Sequence, residues 1–166
     1  MTIAAILELP PLTVASDDVL LATQRSLAEV RRQVDAAASR VAAEIAQRSR
    51  PELGYDGLAQ RLGARTPAHL VQRITGASAH EAGALVRAGT MQTDAGPSWL
   101  RELGQAIADA RVSVEAADAI RAALGSPTDA ITPRHLAAAA ETLLDESAAL
   151  TPELNRPDTP HADERP

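Results

Sequence analysis

DDVLLATQRSLAEVRRQVDAAASRVAAEIAQRS, residues 17–49, decides the fold. It runs for 33 residues with neither glycine nor proline, and Asp17 and Asp18 supply the acidic start that favours a helix N-terminus. Leu20, Leu27, Val34 and Val41 recur every seventh residue, with Val30 and Ala37 at intermediate positions. That spacing predicts one long helix with an a/d-like apolar stripe. Arg25, Glu29, Arg31, Arg32, Asp35, Arg40 and Glu44 occupy the positions expected to be exposed and predict a solvated face. The stripe has two readings. It is either the core-facing side of a bundle helix or the seam of a homodimeric coiled coil through Leu20, Leu27, Val30, Val34 and Val41. Thr23 and Glu44 interrupt the second pattern.

Residues 1–16 before this helix carry Pro10 and Pro11, which stop any helix, and predict a flexible leader with Ile3, Ile6 and Leu7 laid on the core. After it, Pro51 and Gly54 break the chain, and a short helix is expected from Tyr55 to Leu62, stopped by Gly63. Thr66-Pro67 is a cap followed by proline at the first helical position. That helix carries Leu70, Val71 and Ile74 and ends at Gly76. Ser78-Ala-His-Glu81 has the capping-box spacing and opens a helix to about Ala88. Residues 89–98, GTMQTDAGPS, read as a loop. Helices are then expected over Trp99–Ala110, from Ser113 to Leu124, and from Thr132-Pro133 to about Ala149. The proline-rich polar stretch 151–166 predicts a disordered tail. The result is an all-α domain over 17–150, with about seven helices: a long first helix packed with helix-turn-helix-like hairpins.

Composition agrees. The chain has 166 residues, the length of one domain. Leucine, isoleucine and valine together are about a fifth of it, close to the lower limit for a folded chain. Alanine supplies 36 residues more, so the core is expected to be built of small side chains on close-packed helices. Trp99 and Tyr55 are the only aromatics, and Trp99 is expected to anchor the junction of two bihelical halves. There is no cysteine, which excludes disulfides, a thiol nucleophile and a cysteine zinc site. No membrane-length apolar run and no basic-then-apolar leader is present, so a cytoplasmic protein with no membrane partner is expected. All 16 basic residues are arginine, which GC-rich codon usage explains by itself. The net charge of −6 argues against a wholly basic nucleic-acid binder, although residues 55–91 are mildly positive.

Little in the chain is suited to catalysis. His69, His80, His135 and His161 lie apart and lack metal-ligand spacing, so no metal or cofactor is expected. There is no phosphate-cradling glycine loop and no nucleophile elbow. One arrangement points elsewhere. LVQRITGASAHEAGALVRAG, residues 70–89, is a helix, a glycine turn and a capped helix, the layout of a DNA-reading bihelix. Arg61, Arg65, Arg73 and Arg87 are its candidate contacts to double-stranded DNA, against the plainer reading of an αα-hairpin within a helical domain.

Four stretches together resemble the domain of unknown function 222, or 13E12 repeat, family: EVRRQVDAAASRVAAEIAQRS, LGYDGLAQRLGARTPAHLVQRITGASAHEAGALVRAG, LGQAIADARVSVEAADAIRAAL and ITPRHLAAAAETLLDESAALTPE. They span about residues 19–154. The resemblance implies the helical N-terminal part of HNH endonuclease-like proteins of high-GC bacteria, in which a later His-Asn-His domain cuts DNA with a metal. NRPDTPHADERP, at the end of this chain, is unlike the arginine-rich helix that similar proteins carry there. No HNH motif follows, so no catalytic residue carries over. The resemblance therefore implies a non-catalytic accessory domain, truncated, frameshifted or free-standing, that contacts DNA or mediates assembly. The alternative is a dimerisation module with no DNA role.

Overall fold

The computed structural model describes residues 12–93 and 96–153. They form seven α-helices and three 3-10 turns, and no strand occurs among the described residues. The helices are α1 (Asp17–Gln47), α2 (Leu58–Arg61), α3 (Pro67–Thr75), α4 (Ala79–Met91), α5 (Arg101–Ala108), α6 (Val114–Leu124) and α7 (Pro133–Glu153). The 3-10 turns are Leu12–Val14, Pro51–Asp56 and Ser98–Leu100. No helix among the described residues is long and apolar enough to cross a membrane. Of the leader, Ile3, Ile6 and Leu7 lie outside the described residues, as do residues 154–166 of the tail.

Local chemistry sets the boundaries. The Ser16 hydroxyl accepts the Val19 amide at the start of α1, so the cap is the serine rather than the two aspartates after it. Thr66 caps α3 through the His69 amide, with Pro67 at the first helical position. Gly76 ends α3 in the left-handed conformation, φ 72°, which costs glycine little. The reciprocal capping box at α4 is complete: Ser78 Oγ accepts the Glu81 amide, and the Glu81 carboxylate accepts the Ser78 amide. These bonds hold the exposed Glu81 carboxyl below its ordinary pKa. Ser113 caps α6 through the Ala116 amide.

The helix α4 is the centre of the domain. It lies against α1 along its length and also touches α3, α5 and α6. The contact with α1 is built from small residues. Ala36, Ser39, Ala42 and Ala43 are the buried residues of α1, and Ala82, Ala84, Ala88, Gly89 and Met91 those of α4. A Cβ on Gly89 would stand 1.9 Å from the Ser39 carbonyl oxygen. Backbones this close need a residue with no side chain at the crossing. Gly89 therefore does not stop α4, which continues through Thr90 to Met91, into the segment that reads as loop. Gly104 plays the same part in α5, where a Cβ would stand 2.0 Å from the Met91 carbonyl oxygen.

The main core cluster joins Ala36 of α1, Ala84, Ala88 and Met91 of α4, Leu103, Ala106 and Ile107 of α5, Ala117 of α6 and Leu136 and Leu144 of α7. Trp99 belongs to it and is 7% exposed. Two small clusters hold α2 and α3 to α1: Ala42 with Val71 and Ala82, and Ala59 with Ala64 and Leu70. Ser49 Oγ tightens this end by donating to the Ile45 carbonyl and accepting the Ala59 amide.

The face of α1 that packs inward is not the apolar stripe. Leu20, Val34 and Val41 are exposed, and Leu27 and Val30 are half-buried. Alanine and serine lie inward because they permit the close approach to α4. Two charged residues expected outside also turn partly inward. Arg32 Nε donates to the Ala110 carbonyl at 2.9 Å, and Asp35 is half-buried.

Candidate functional site

The four arginines of the DNA reading part into two pairs. Arg87 lies on α4 and forms a two-pronged ion pair with Asp118 of α6: Nε donates to Oδ1 at 2.8 Å and Nη2 to Oδ2 at 2.6 Å. Arg121 Nε adds a third bond to Oδ1 at 2.9 Å. The Asp118 side chain is 9% exposed, and that of Arg87 is 40% exposed. Hydrogen bonding to Arg87, with Arg121 assisting against the cost of burial, holds the Asp118 carboxyl down at about 2. The carboxylate in turn raises the Arg87 guanidinium further above its ordinary value. Arg87 thus holds α4 to α6. Arg73 Nη1 donates to the Leu62 carbonyl at 3.0 Å and clips α3 to the end of α2.

Arg61 and Arg65 remain. Both are exposed, and neither guanidinium has a hydrogen-bond or ion-pair partner among the described residues. The second helix of the bihelix is α4 itself, the element buried most centrally. It packs against α1, α3, α5 and α6, while Ala79, His80 and Glu81 in its first turn are exposed. The exposed arginines here are Arg61 of α2, Arg65 of the α2–α3 link and Arg73 of α3, and Arg65 stands near Arg40 of α1 and Arg50 just beyond it. Residues 40–76 hold six arginines against three carboxylates.

The second candidate surface is the outward side of α1. Val34 is 56% exposed and Val41 62%, with Leu20 at 37%. At 1.5 Å per residue, Leu20 to Val41 is a line about 32 Å long. Its N-terminal end widens where the Leu12–Val14 turn folds near the first turns of the helix. Leu12, Leu20, Leu21 and Leu27 there line an open apolar groove of about 300 Å³. Val14, Val19 and Leu21 are exposed beside it.

No group of histidine and acidic side chains suited to a metal occurs among the described residues. His69 is engaged locally, its Nδ1 accepting the Arg65 amide at 3.4 Å. A third feature has no mark in any local motif: a cleft of about 700 Å³ between the C-terminal half of α1, α2, the start of α3 and the end of α4. Arg40, Arg50 and Arg65 border it. They are 25 residues apart in sequence at the extremes, and only the packing of α2 and α3 on α1 brings them together. Comparison with family models, with curated proteins and with solved structures returns no match for this chain.

Proposed function

We propose that the chain is a non-catalytic helical assembly domain that pairs with a second copy of itself through the outward face of α1. One observation carries this reading. Residues with the seven-residue period of a coiled-coil seam stand on the solvent side of a helix whose opposite side is already buried. A packed monomer has no use for that period on its outer face. A helix of the same period is the partner that fits it, and the second copy of α1 supplies one.

The energies are compatible with a weak dimer. Five partly exposed aliphatic side chains per copy, each gaining about half of the roughly 2 kcal/mol of full burial, contribute on the order of 10 kcal/mol. Association costs about 4–15 kcal/mol. With the cost at the lower end of that range, the net of about −5 to −6 kcal/mol corresponds to a dimer populated by about 100 μM chain. The test is the mass of the full chain by light scattering against concentration, beside Val34→Asp/Val41→Asp. Both positions are exposed in the monomer, so the variant is expected to fold. A monomeric wild type at about 100 μM, or an unchanged dimer in the variant, rejects the proposal.

The resemblance to the helical part of HNH endonuclease-like proteins is compatible with an assembly role. Contact with double-stranded DNA is the second reading, supported by the exposed Arg61 and Arg65 at the arginine-rich end. Affinity that falls steeply with salt, and is lost in Arg61→Ala/Arg65→Ala, would support it.

A further inference from the structure

We propose that the groove at the start of α1 is a docking site for this chain's own N-terminal segment, with Ile3, Ile6 and Leu7 packed against Leu12, Leu21 and Leu27. The helix α1 outruns the helices that cover it. Its buried residues, Ala36, Ser39, Ala42 and Ala43, all lie in its C-terminal half, and none of residues 17–35 is buried. Leu21 and Ser39 are 18 residues apart, about five full turns, and so stand on one line of the helix. Ser39 is fully buried at the crossing with α4, whereas Leu21 is 54% exposed. The core-facing line thus continues beyond its cover, and its residue type changes. Alanine and serine serve where α4 comes close, and a leucine stands where the line is open. Leu21 is not alone there. It lines the groove of about 300 Å³ with Leu12, Leu20 and Leu27, and Val14 and Val19 are exposed beside it. A contiguous apolar patch of this kind marks a surface that another group covers.

The chain itself brings the occupant to this place. Leu12 lines the groove together with Leu20 and Leu27, which follow it by 8 and 15 positions. The backbone therefore turns back on α1 through the Leu12–Val14 turn, and the residues before Leu12 start from the rim of the groove. Leu7 is five residues before Leu12, a reach of up to about 17 Å. The groove from Leu20 to Leu27 is only about 10 Å long. Ile3, Ile6 and Leu7 have the i, i+3, i+4 spacing of one helical face, and Glu8 falls off it. So short a tether holds the segment at a local concentration of millimolar order. That exceeds the roughly 100 μM at which a second copy competes, so the chain's own segment is the favoured occupant. Val34 and Val41 face away from Leu21 on the helical wheel, and the site does not rest on the pairing of α1 with α1. Leu20 and Leu27 lie between the two faces and border both.

The experiment uses the full chain at about 5 μM, well below the concentration of the proposed dimer. The chain has no cysteine, so Ala4→Cys/Gln24→Cys gives one defined pair, with Ala4 beside the apolar face of the segment and Gln24 in the groove wall. Oxidation with diamide is expected to close a disulfide within one chain at least about ten-fold faster than in Ala4→Cys/Gln33→Cys, whose second position is exposed on the far side of α1. Without any cysteine, Ile3→Asp/Leu7→Asp is expected to speed amide exchange over residues 19–30 at least about five-fold and to leave α4 and α5 unchanged. Equal cross-linking rates in the two cysteine pairs, a cross-link that forms between chains rather than within one, or unchanged exchange in the aspartate variant overturns the proposal.

Discussion

Replacing Asp118 by asparagine isolates the one buried charge on which α4 and α6 agree. The carboxylate accepts three hydrogen bonds, from Arg87 Nε and Nη2 and from Arg121 Nε. Asparagine keeps the shape but removes the charge and turns an amide donor toward a guanidinium. Breaking a buried ion pair costs about 3–5 kcal/mol, and the 40% exposure of the Arg87 side chain lowers that to about 2–3 kcal/mol. For a folded region of this size the loss is a fall in Tm of about 7–10 °C at pH 7. The pH dependence is more specific. A carboxyl at about 2 in the fold and near 3.8 when unfolded favours the fold fully above pH 4. That stability, about 2 kcal/mol, is lost as pH falls from about 4 to 2. The gap between wild type and Asp118→Asn should therefore be widest at neutral pH and shrink by about 2 kcal/mol at pH 2. Urea unfolding followed by helical circular dichroism and by the single, buried Trp99 reads both numbers. A gap below about 0.5 kcal/mol at pH 7, or one that stays constant down to pH 2, would refute the assignment of Asp118 as the charge that joins the two helices.

Two further substitutions probe the packing. Gly89→Ala in a helix interior ordinarily gains up to about 1 kcal/mol, but here the new methyl meets the Ser39 carbonyl, so a loss of about 3 kcal/mol or more is expected in the same unfolding assay. A neutral or stabilised variant would mean that α1 and α4 do not approach so closely. Ser78→Ala removes one half of the capping box and should cost about 1 kcal/mol, with amide exchange rising in the first turn of α4 and little elsewhere.

Much of this architecture is legible in the residues because its signals are local. Thr66-Pro67, Ser78 with Glu81, Ser113 and Gly76 each act within three or four positions, and each marks the helix end where the structure has it. The unbroken run from 17 to 49 could only be a helix. What the residues do not disclose is non-local. Two periodicities are superposed on α1, one of leucine and valine and one of alanine and serine. Which of them faces α4 depends on Gly89, some fifty residues later. Gly89 itself resembles a helix stop, because a glycine without its crossing partner carries no sign of close packing. Arg87 resembles a base-reading side chain until Asp118, 31 residues on, is placed against it. The cleft formed by Arg40, Arg50 and Arg65 depends in the same way on how α2 and α3 fold back, which no single segment encodes.

The central claim is that α1 meets α1 of a second copy along Leu20–Val41, and a spin label at Val34 tests it most directly. The chain has no cysteine, so Val34→Cys gives one labelled site at an exposed position. Val34 lies near the middle of the seam, so the labels of two copies come within about 20 Å whether the helices run parallel or antiparallel. Pulsed dipolar spectroscopy at about 100 μM is expected to show that short distance, with the signal falling as unlabelled chain is mixed in. A wild-type-like fold with no inter-label distance under about 30 Å would contradict the account.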